Sequence, residues 1–212
     1  SIGHWRSVFD KENDAIFELA DKYKLAIEIH PYDGDKMINL ENTAWRFHLL
    51  WMLAQCGDAY HFYTLNGMQE RFPNIRTCFA HGGQLAQMNL GRRIQGFDGR
   101  PDLFEGKSHP RKAVGHKNIF FDTLVHDTGG LELLIKNQGS KQVLMGLDDP
   151  YPLGEMESEK QSSYPGKILD LAMERNIITE PQRDAIWEDN VIQWLCGDDS
   201  DAKQKLVQRI TG

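Results

Sequence analysis

The stretch Val143-Leu144-Met145-Gly146-Leu147-Asp148-Asp149-Pro150-Tyr151-Pro152-Leu153-Gly154-Glu155 decides the fold. It begins with an apolar run followed by turn-forming residues, a pattern that predicts a short buried strand. This strand delivers Asp148 to a loop that contains two prolines. In parallel α/β proteins, ligands and catalytic groups gather at the C-terminal ends of the strands. Asp148 is therefore a candidate metal ligand or general base, although a lone aspartate at such a position more often caps the next helix.

Three further segments with the character of buried strands precede this one, and helical patterns separate them. The predicted strands cover residues 25–30, 75–81, 118–123 and 142–147, with two consecutive helices predicted at about 42–56 and 58–71. Such alternation is typical of a parallel sheet with helices outside it, in either a doubly wound sheet or a (β/α)8 barrel. Because no glycine-rich phosphate-binding motif follows a strand, the barrel is favoured. We expect a single domain over residues 1–212.

Composition and charge exclude several classes of partner. The 212 residues carry 24 basic and 31 acidic side chains, and this net charge of −7 disfavours binding to nucleic acid, which requires clustered Lys and Arg. No apolar run approaches the length of a membrane span, and no signal peptide is visible. The three cysteines are widely spaced and indicate neither a disulfide framework nor a zinc ribbon. We therefore expect a cytoplasmic protein with no membrane or nucleic-acid partner.

Each predicted strand ends in an ionisable residue, and these residues are His30, His81, Asp122 and Asp148. In a barrel the C-terminal ends of the strands meet at the catalytic face, so these side chains are expected to converge. Imidazole nitrogens and carboxylate oxygens are the usual ligands of zinc and similar ions, with an open position for water. Such an ion lowers the pKa of its bound water to about 7 and provides hydroxide at neutral pH. One such histidine is equally well explained as a hydrogen-bonded core residue, but four successive ionisable strand ends favour a metal site.

Several longer motifs occur in a defined order along the chain. They are His30-Pro31-Tyr32-Asp33, Cys78-Phe79-Ala80-His81-Gly82-Gly83, Gly91-Arg92, Gly96-Phe97, Arg100-Pro101-Asp102-Leu103, Leu124-Val125-His126-Asp127 and the stretch from Gly146 to Glu155. Their order and spacing resemble the aminocarboxymuconate-semialdehyde decarboxylase family of the amidohydrolase superfamily. The resemblance covers about residues 1–196 and implies a distorted (β/α)8 barrel that holds one zinc ion.

The resemblance implies roles for individual residues. His30 and Asp148 fall on zinc ligands, and His81 falls on the catalytic histidine that acts as general base and acid. Arg92 falls on an arginine that binds the carboxylate of the substrate held by the neighbouring subunit of a homodimer. A guanidinium suits that task because it contacts a carboxylate through two parallel hydrogen bonds. No catalytic role is implied for Asp122.

The activity implied by the resemblance is a zinc-dependent decarboxylation through a metal-activated water. The substrate would be 2-amino-3-carboxymuconate 6-semialdehyde, from the kynurenine route of tryptophan breakdown, or a similar unsaturated acid. Two alternatives remain open at this point. One is a metal-dependent hydrolase or hydratase that uses the same activated water, and the other is an inactive fragment with an incomplete metal site. Arg92 favours a small acidic substrate over a neutral amide or ester.

The chain departs from the family pattern on its N-terminal side. A family barrel begins with a strand that bears an HxH or ExH pair of zinc ligands, and no such pair occurs here. His4 instead resembles a position at the end of the fourth strand. The sequence thus corresponds to the C-terminal portion of the barrel, from about strand four or five onward. Because an open half-barrel exposes unpaired strand edges, we expect further polypeptide or a partner chain to complete it.

Smaller departures bear on the substrate. Gln84-Leu85-Ala86-Gln87 replaces a glycine and a nearby proline of the family pattern, and Asp149 replaces an aromatic residue. Trp45 and Trp51 are candidates for the family's tryptophan after the fifth strand, with packing on a helix face as the alternative. These differences leave the metal chemistry intact and loosen the substrate assignment.

Overall fold

Strands and helices alternate along the chain, as the sequence predicts. The computed structural model describes residues 8–31, 43–160 and 162–211. His4, Tyr32, Asp33 and the remainder of the segment 32–42 lie outside these ranges. The strands are β1 (Ala26–Ile29), β2 (Arg76–Phe79), β3 (Ile119–Asp122) and β4 (Val143–Leu144). They form one sheet in the order β1-β2-β3-β4, and each neighbouring pair is parallel. The predicted α/β class is therefore confirmed.

The helices follow or precede these strands as connecting elements. In chain order they are α1 (Asp14–Lys22), α2 (Met52–Leu65), α3 (Met68–Arg71), α4 (Gln84–Met88), α5 (Leu90–Gly99), α6 (Thr128–Gln138), α7 (Lys167–Glu174), α8 (Glu180–Asp184), α9 (Asn190–Cys196) and α10 (Ser200–Thr211). Turns of π-helix at Phe47–Trp51 and Ala185–Asp189 lead into α2 and α9. In the part of the chain with described structure, no helix has the length and apolar character needed to cross a membrane.

The helix break predicted near residue 57 is wrong, because α2 continues through Gly57 to Leu65. A Cβ atom at position 57 would lie 2.9 Å from the Cβ of Leu85 in α4. The glycine therefore serves a close approach of two helices rather than a turn. This packing places α2 and α4 against each other on the outer side of the sheet.

The two faces of the sheet have different surroundings, because side chains alternate along each strand. Phe79, Phe121 and Val143 point toward the helices and belong to the main hydrophobic core. The opposite, inner face bears a smaller buried cluster, which consists of Cys78, Phe120 and Leu144 packed against Val191 and Trp194 of α9. The main core fixes the sheet against its helices, and α9 covers part of the inner face.

Arg76, the first residue of β2, fixes α9 to the N-terminal end of the sheet. Its guanidinium donates hydrogen bonds to the carbonyl oxygens of Trp194 at 2.5 Å and Leu195 at 3.0 Å. The indole Nε1 of Trp194 donates in return to the carbonyl of Arg76 at 3.1 Å. The N-terminal end of the sheet is thus closed by α9, which leaves the C-terminal end as the accessible one.

The described strands leave a sheet with an open edge at β1. Helix α1, which leads into β1, exposes Ile16, Leu19 and Tyr23, each with more than half of its surface accessible. Parallel sheets are normally covered on both faces, so an open edge with exposed apolar neighbours is an unusual surface. The expectation that further polypeptide covers this edge agrees with these exposures and stays a prediction.

Gly146 marks a close approach between β3 and the segment that follows β4. A Cβ atom at this position would lie 2.6 Å from the Cβ of Asp122 and 3.0 Å from its Cγ. The amide of Gly146 also donates a hydrogen bond to Thr123 Oγ1 at 3.2 Å, which ties the segment to β3. The contact therefore leaves room only for a glycine at this position, and the segment that follows β4 lies close to the end of β3.

We expect Gly146→Ala to lower the free energy of unfolding by about 1–3 kcal/mol, because the added methyl group overpacks the contact with Asp122. Urea denaturation measures this change. Gly91→Ala is the matched control, since no heavy atom lies within 4 Å of a Cβ at that position in α5. That control is expected to be neutral or stabilising by up to about 1 kcal/mol. Equal effects of the two substitutions would contradict the prediction.

Candidate metal centre

His30, His81 and Asp148 come together beyond the C-terminal ends of β1, β2 and β4. Each residue offers one ligand atom, and these atoms all lie within 4.8 Å of one another. His30 Nε2 lies 3.4 Å from Asp148 Oδ1, and His81 Nε2 lies 3.9 Å from Asp148 Oδ2. The sequence separations between these residues are large, so only the parallel sheet brings them together. The geometry assembles the predicted residues, and their roles stay predictions.

The orientation of His30 suits a metal ligand. Its Nδ1 lies 2.7 Å from the carbonyl oxygen of Pro31, which only accepts, so Nδ1 carries the hydrogen and donates. In the neutral ring, Nε2 then presents its lone pair toward Asp148. Histidine ligands of metals commonly donate their other ring N–H to a backbone carbonyl in this way, which fixes the tautomer and the ring orientation.

His81 occupies the buried side of the group. Only 8% of its side chain is exposed, and its Nε2 is buried without a hydrogen-bond partner. Burial and the nearby His30 lower the pKa of His81 to about 4, against the opposing effect of the Asp148 carboxylate. The imidazole is therefore neutral at pH 7. A buried, unpartnered ring nitrogen that faces a carboxylate fits a site that takes an ion or a water.

The donor set fits zinc or a similar divalent ion. Two imidazole nitrogens and a carboxylate oxygen are the ligand types that zinc takes in catalytic sites, where three protein ligands leave a position for water. The three residues differ in exposure. The His30 side chain is 40% exposed, the Asp148 side chain 14% and the His81 side chain 8%. The group therefore lies between the protein interior and an open face.

Asp122 holds the turn that carries His81. Its carboxylate Oδ1 accepts hydrogen bonds from the amides of Gly82 at 2.8 Å and Leu124 at 3.0 Å. Burial raises the pKa of Asp122, and the backbone N–H donors of the 81–82 turn and of Leu124 oppose that rise. Gly82 has φ +61, and a Cβ there would lie 2.3 Å from Val125 Cγ1. The sequence marks Asp122 only as an ionisable strand end, whereas its contacts give it a positioning role.

Glu28 is a residue near the site that sequence reasoning missed. It lies two positions before His30 in β1, so the two side chains share a face of the strand. With His30, Asp122 and Asp148 it lines a cavity of about 490 Å³ on the inner face of the sheet. Burial and the nearby Asp122 raise the pKa of Glu28. The alternation of side chains along β1 is a sequence signal that could have identified its position.

Arg92 lies away from this group. It is exposed on α5 and lines a different cavity of about 610 Å³, together with Trp51, Asp58 and Asn89. Neither His30, His81 nor Asp148 lines that cavity. The structure of the single chain therefore does not bring Arg92 to the metal centre, and its predicted action on a neighbouring subunit stays a prediction.

The adjacent Arg93 has a different environment, and the sequence does not indicate that the two arginines differ in burial. Arg93 is buried, and its guanidinium donates to His61 Nδ1 at 3.1 Å and to Thr64 Oγ1 at 2.5 Å. It also lies over the ring of Tyr60 at 4.8 Å from the centroid. These contacts make Arg93 a structural link between α5 and α2 and leave Arg92 as the exposed cation.

The two candidates for the family's tryptophan after the fifth strand lie near α2. Trp45 stacks on His48 with a centroid distance of 5.0 Å, and Trp51 lines the cavity that contains Arg92. Neither residue lines the cavity of the metal centre. The structure of one chain therefore does not choose between them, and the assignment stays a prediction.

The protein is thus of the α/β class with a parallel sheet. Two histidines and an aspartate form a candidate metal centre beyond the C-terminal ends of the strands. The chain belongs to the amidohydrolase family. The model of this family, described as Amidohydrolase, matches residues 3–191. The resemblance found in the sequence is confirmed by this match and by curated relatives.

Two such relatives are named 2-amino-3-carboxymuconate-6-semialdehyde decarboxylase. The protein from Dictyostelium discoideum is 32% identical over 184 residues, which are 85% of this chain and 47% of the relative. The protein from Caenorhabditis elegans is 33% identical over 141 residues, which are 66% of this chain and 35% of the relative. The chain thus spans about half or less of the length of these relatives.

Solved structures support the fold. The crystal structure of 5-carboxyvanillate decarboxylase from Sphingomonas paucimobilis matches with a TM-score of 0.68 and 18% identity, over 91% of this chain and 56% of that one. At this identity the likeness concerns the fold alone. The predicted barrel type is thereby confirmed, and the described residues supply four parallel strands of it.

The lowered pKa of His81 predicts how stability depends on pH. Folding moves this pKa from 6.5 to about 4, so the unfolded chain binds more protons between these values. The titration of His81 should cost the metal-free protein no stability well above pH 6.5 and at most about 3 kcal/mol as the pH falls toward 4. Urea denaturation across this range measures the loss. His81→Gln should reduce the slope, and an unchanged slope in that variant would refute the assignment.

Proposed function

We propose that the protein is a zinc-dependent decarboxylase that acts on 2-amino-3-carboxymuconate 6-semialdehyde or a similar unsaturated acid. The observation that carries the proposal is the convergence of His30, His81 and Asp148, with an unpartnered buried Nε2 on His81. The two curated relatives, which are 32% and 33% identical to this chain over the matched residues, carry the name of that decarboxylase. We further propose that residues 1–212 belong to one barrel-type domain and that the protein works in the cytoplasm, in tryptophan breakdown by the kynurenine route.

The ion would be held by His30 Nε2 and the carboxylate of Asp148. When bound, it would activate a water molecule as a nucleophile at neutral pH. The hydrogen bond from His30 Nδ1 to the carbonyl of Pro31 orients the ring so that Nε2 faces Asp148. The carboxylate of Asp148 in turn faces both histidines. Zinc or another divalent ion with the same ligand preference would satisfy this donor set.

His81 would move protons during the reaction. Its low pKa keeps Nε2 unprotonated at pH 7, so this atom is available to accept a proton from water. The same nitrogen would return the proton to the substrate carbon from which carbon dioxide leaves. Burial of the ring excludes bulk water from this exchange, and Asp122 holds the turn that positions it.

Arg92 would bind the acidic substrate across a homodimer. It is exposed and makes no hydrogen bond or ion pair within the described chain, so its guanidinium remains available to a carboxylate. Contact through two parallel hydrogen bonds would orient the substrate as well as attract it. The separation of Arg92 from the metal centre within one chain is consistent with action on a neighbouring subunit.

Two other functions make different predictions for the same protein. A hydrolase or hydratase of this superfamily would bind zinc and leave the semialdehyde intact. An inactive fragment with an incomplete metal site would bind little zinc even when zinc is supplied. Zinc content and substrate turnover together distinguish the three cases.

We expect the zinc-loaded protein to consume the semialdehyde and to release one carbon dioxide for each molecule consumed. Loss of substrate absorbance and a coupled assay of carbon dioxide measure this turnover. His30→Ala and Asp148→Ala should lose both zinc and activity, because each removes a predicted ligand. An unchanged absorbance trace with zinc bound would exclude the decarboxylase and favour the hydrolase or hydratase.

His81→Ala tests whether His81 moves protons or binds the ion. We expect this variant to retain zinc. Its turnover should fall about 10²–10⁴-fold, the usual effect of removing a general acid or base. Metal analysis of the purified variant accompanies the rate measurement. Loss of zinc from His81→Ala would instead make His81 a ligand, consistent with its place in the three-residue group.

Action of Arg92 on a neighbouring subunit is testable by complementation. Arg92→Ala and His81→Ala should each be poorly active alone. A mixed dimer would contain one site with both defects and one site with none, so activity should return on mixing under conditions that exchange subunits. If mixing restores nothing although mixed dimers form, Arg92 does not act across the interface.

A further inference from the structure

The turn between β3 and α6 is a rigid support beside the metal centre. On one side, Asp122 accepts a hydrogen bond from the amide of Leu124 at 3.0 Å. On the other, Asp127 caps α6 by accepting from the amides of Gly129 at 2.7 Å and Gly130 at 3.3 Å. Val125 is buried between these two attachments. His126 therefore projects from backbone that is held on both sides.

The loop after Asp148, which we call the 148–155 loop, folds back on the end of its own strand. The amide of Tyr151 donates to the carbonyl of Asp148, and the amide of Gly154 donates to that of Tyr151, both at 2.8 Å. The amide of Glu155 closes the loop by donating to the carbonyl of Leu147 at 2.8 Å. The outer residues of the loop, such as Tyr151 with 60% exposure, are solvated. These hydrogen bonds define the shape of the loop. The position of the loop relative to the sheet depends on its contacts with other segments.

His126 supplies a contact between the rigid turn and this loop. Its Nε2 lies 2.9 Å from the carbonyl oxygen of Leu153, and because a carbonyl only accepts, Nε2 carries the hydrogen and donates. The backbone of His126 has φ +60, a left-handed conformation that aims the side chain away from the course of β3. His126 also lies close enough to His81 for its charge to affect the pKa of that residue. The contact thus joins the loop of Asp148 to the side of the site that holds His81.

We propose that His126 is a positioning residue for Asp148 and acts through its hydrogen bond to Leu153. Asp148 begins the loop whose far end His126 holds, and it has φ +54, so its carboxylate direction depends on how the loop lies. This inference rests on the proposed metal centre and adds a residue to it. The family motif Leu124-Val125-His126-Asp127 then has a physical reason, since its last two residues hold the neighbouring loop and cap α6.

The matched pair His126→Gln and His126→Met tests the proposal. The two replacement side chains have similar length and shape, and only glutamine retains an N–H donor for Leu153. We expect His126→Met to speed hydrogen exchange of the amides of Tyr151, Gly154 and Glu155 in the metal-free protein. Its Kd for Zn²⁺, measured by competition with a chromophoric chelator, should rise about 10-fold, the lower end of the loss that follows removal of a group bonded directly to a ligand, because His126 acts through the loop. His126→Gln should stay near the wild type in both measurements.

Exchange in α6 serves as the internal control, because a general loss of stability would also speed exchange there. The proposal is overturned if methionine leaves loop exchange unchanged, or if glutamine and methionine behave alike. If the wild type binds no Zn²⁺, the proposed metal centre fails, whereas the exchange comparison still decides whether His126 holds the loop. Failure of the positioning role and failure of the metal centre are thus distinguishable.

Discussion

The buried carboxylate of Asp122 contacts the segments that carry two of the three residues of the candidate metal centre, His81 and Asp148. It accepts from the amide of Gly82 in the turn that carries His81, and from the amide of Leu124 in the turn that carries His126. Its Cβ and Cγ also limit how close the segment of Gly146, which leads to Asp148, can approach. A buried carboxylate is costly without hydrogen-bond donors, so these backbone donors must be kept in place. Asp122 thereby couples the positions of two predicted site residues.

Electrostatics on the inner face of the sheet favour a bound cation. Glu28, Asp122 and Asp148 line one cavity with His30, and burial raises the pKa of both Glu28 and Asp122. Raised carboxyl pKa values show that negative charge is unfavourable there without compensation. A divalent cation between Asp148 and the two imidazoles would provide that compensation. Burial and the nearby His30 lower the pKa of His81 against the effect of these carboxylates, so the proposed proton carrier stays unprotonated beside the predicted ligands.

The two ends of the described sheet are built for different tasks. At the N-terminal end, Arg76 and Trp194 exchange hydrogen bonds that hold α9 over the inner face. At the C-terminal end, the chain makes left-handed turns at His81, His126 and Asp148, which direct side chains out of the paths of the strands. The contacts that hold α9 thus lie at one end of the sheet and the candidate metal centre at the other, the division expected of barrel enzymes. The open edge at β1 is the part of this arrangement that the described residues leave uncovered.

Sequence by itself determined the strand pattern, the parallel α/β class and the convergence of His30, His81 and Asp148, because each depends on local periodicity and on which residue ends a strand. Its motifs also identified the family. Only the tertiary structure separated exposed Arg92 from buried Arg93, carried α2 through Gly57, and gave Asp122 and His126 their partners. These features depend on contacts between segments far apart in the chain, and a one-dimensional pattern does not specify which loops meet or how closely two helices pack.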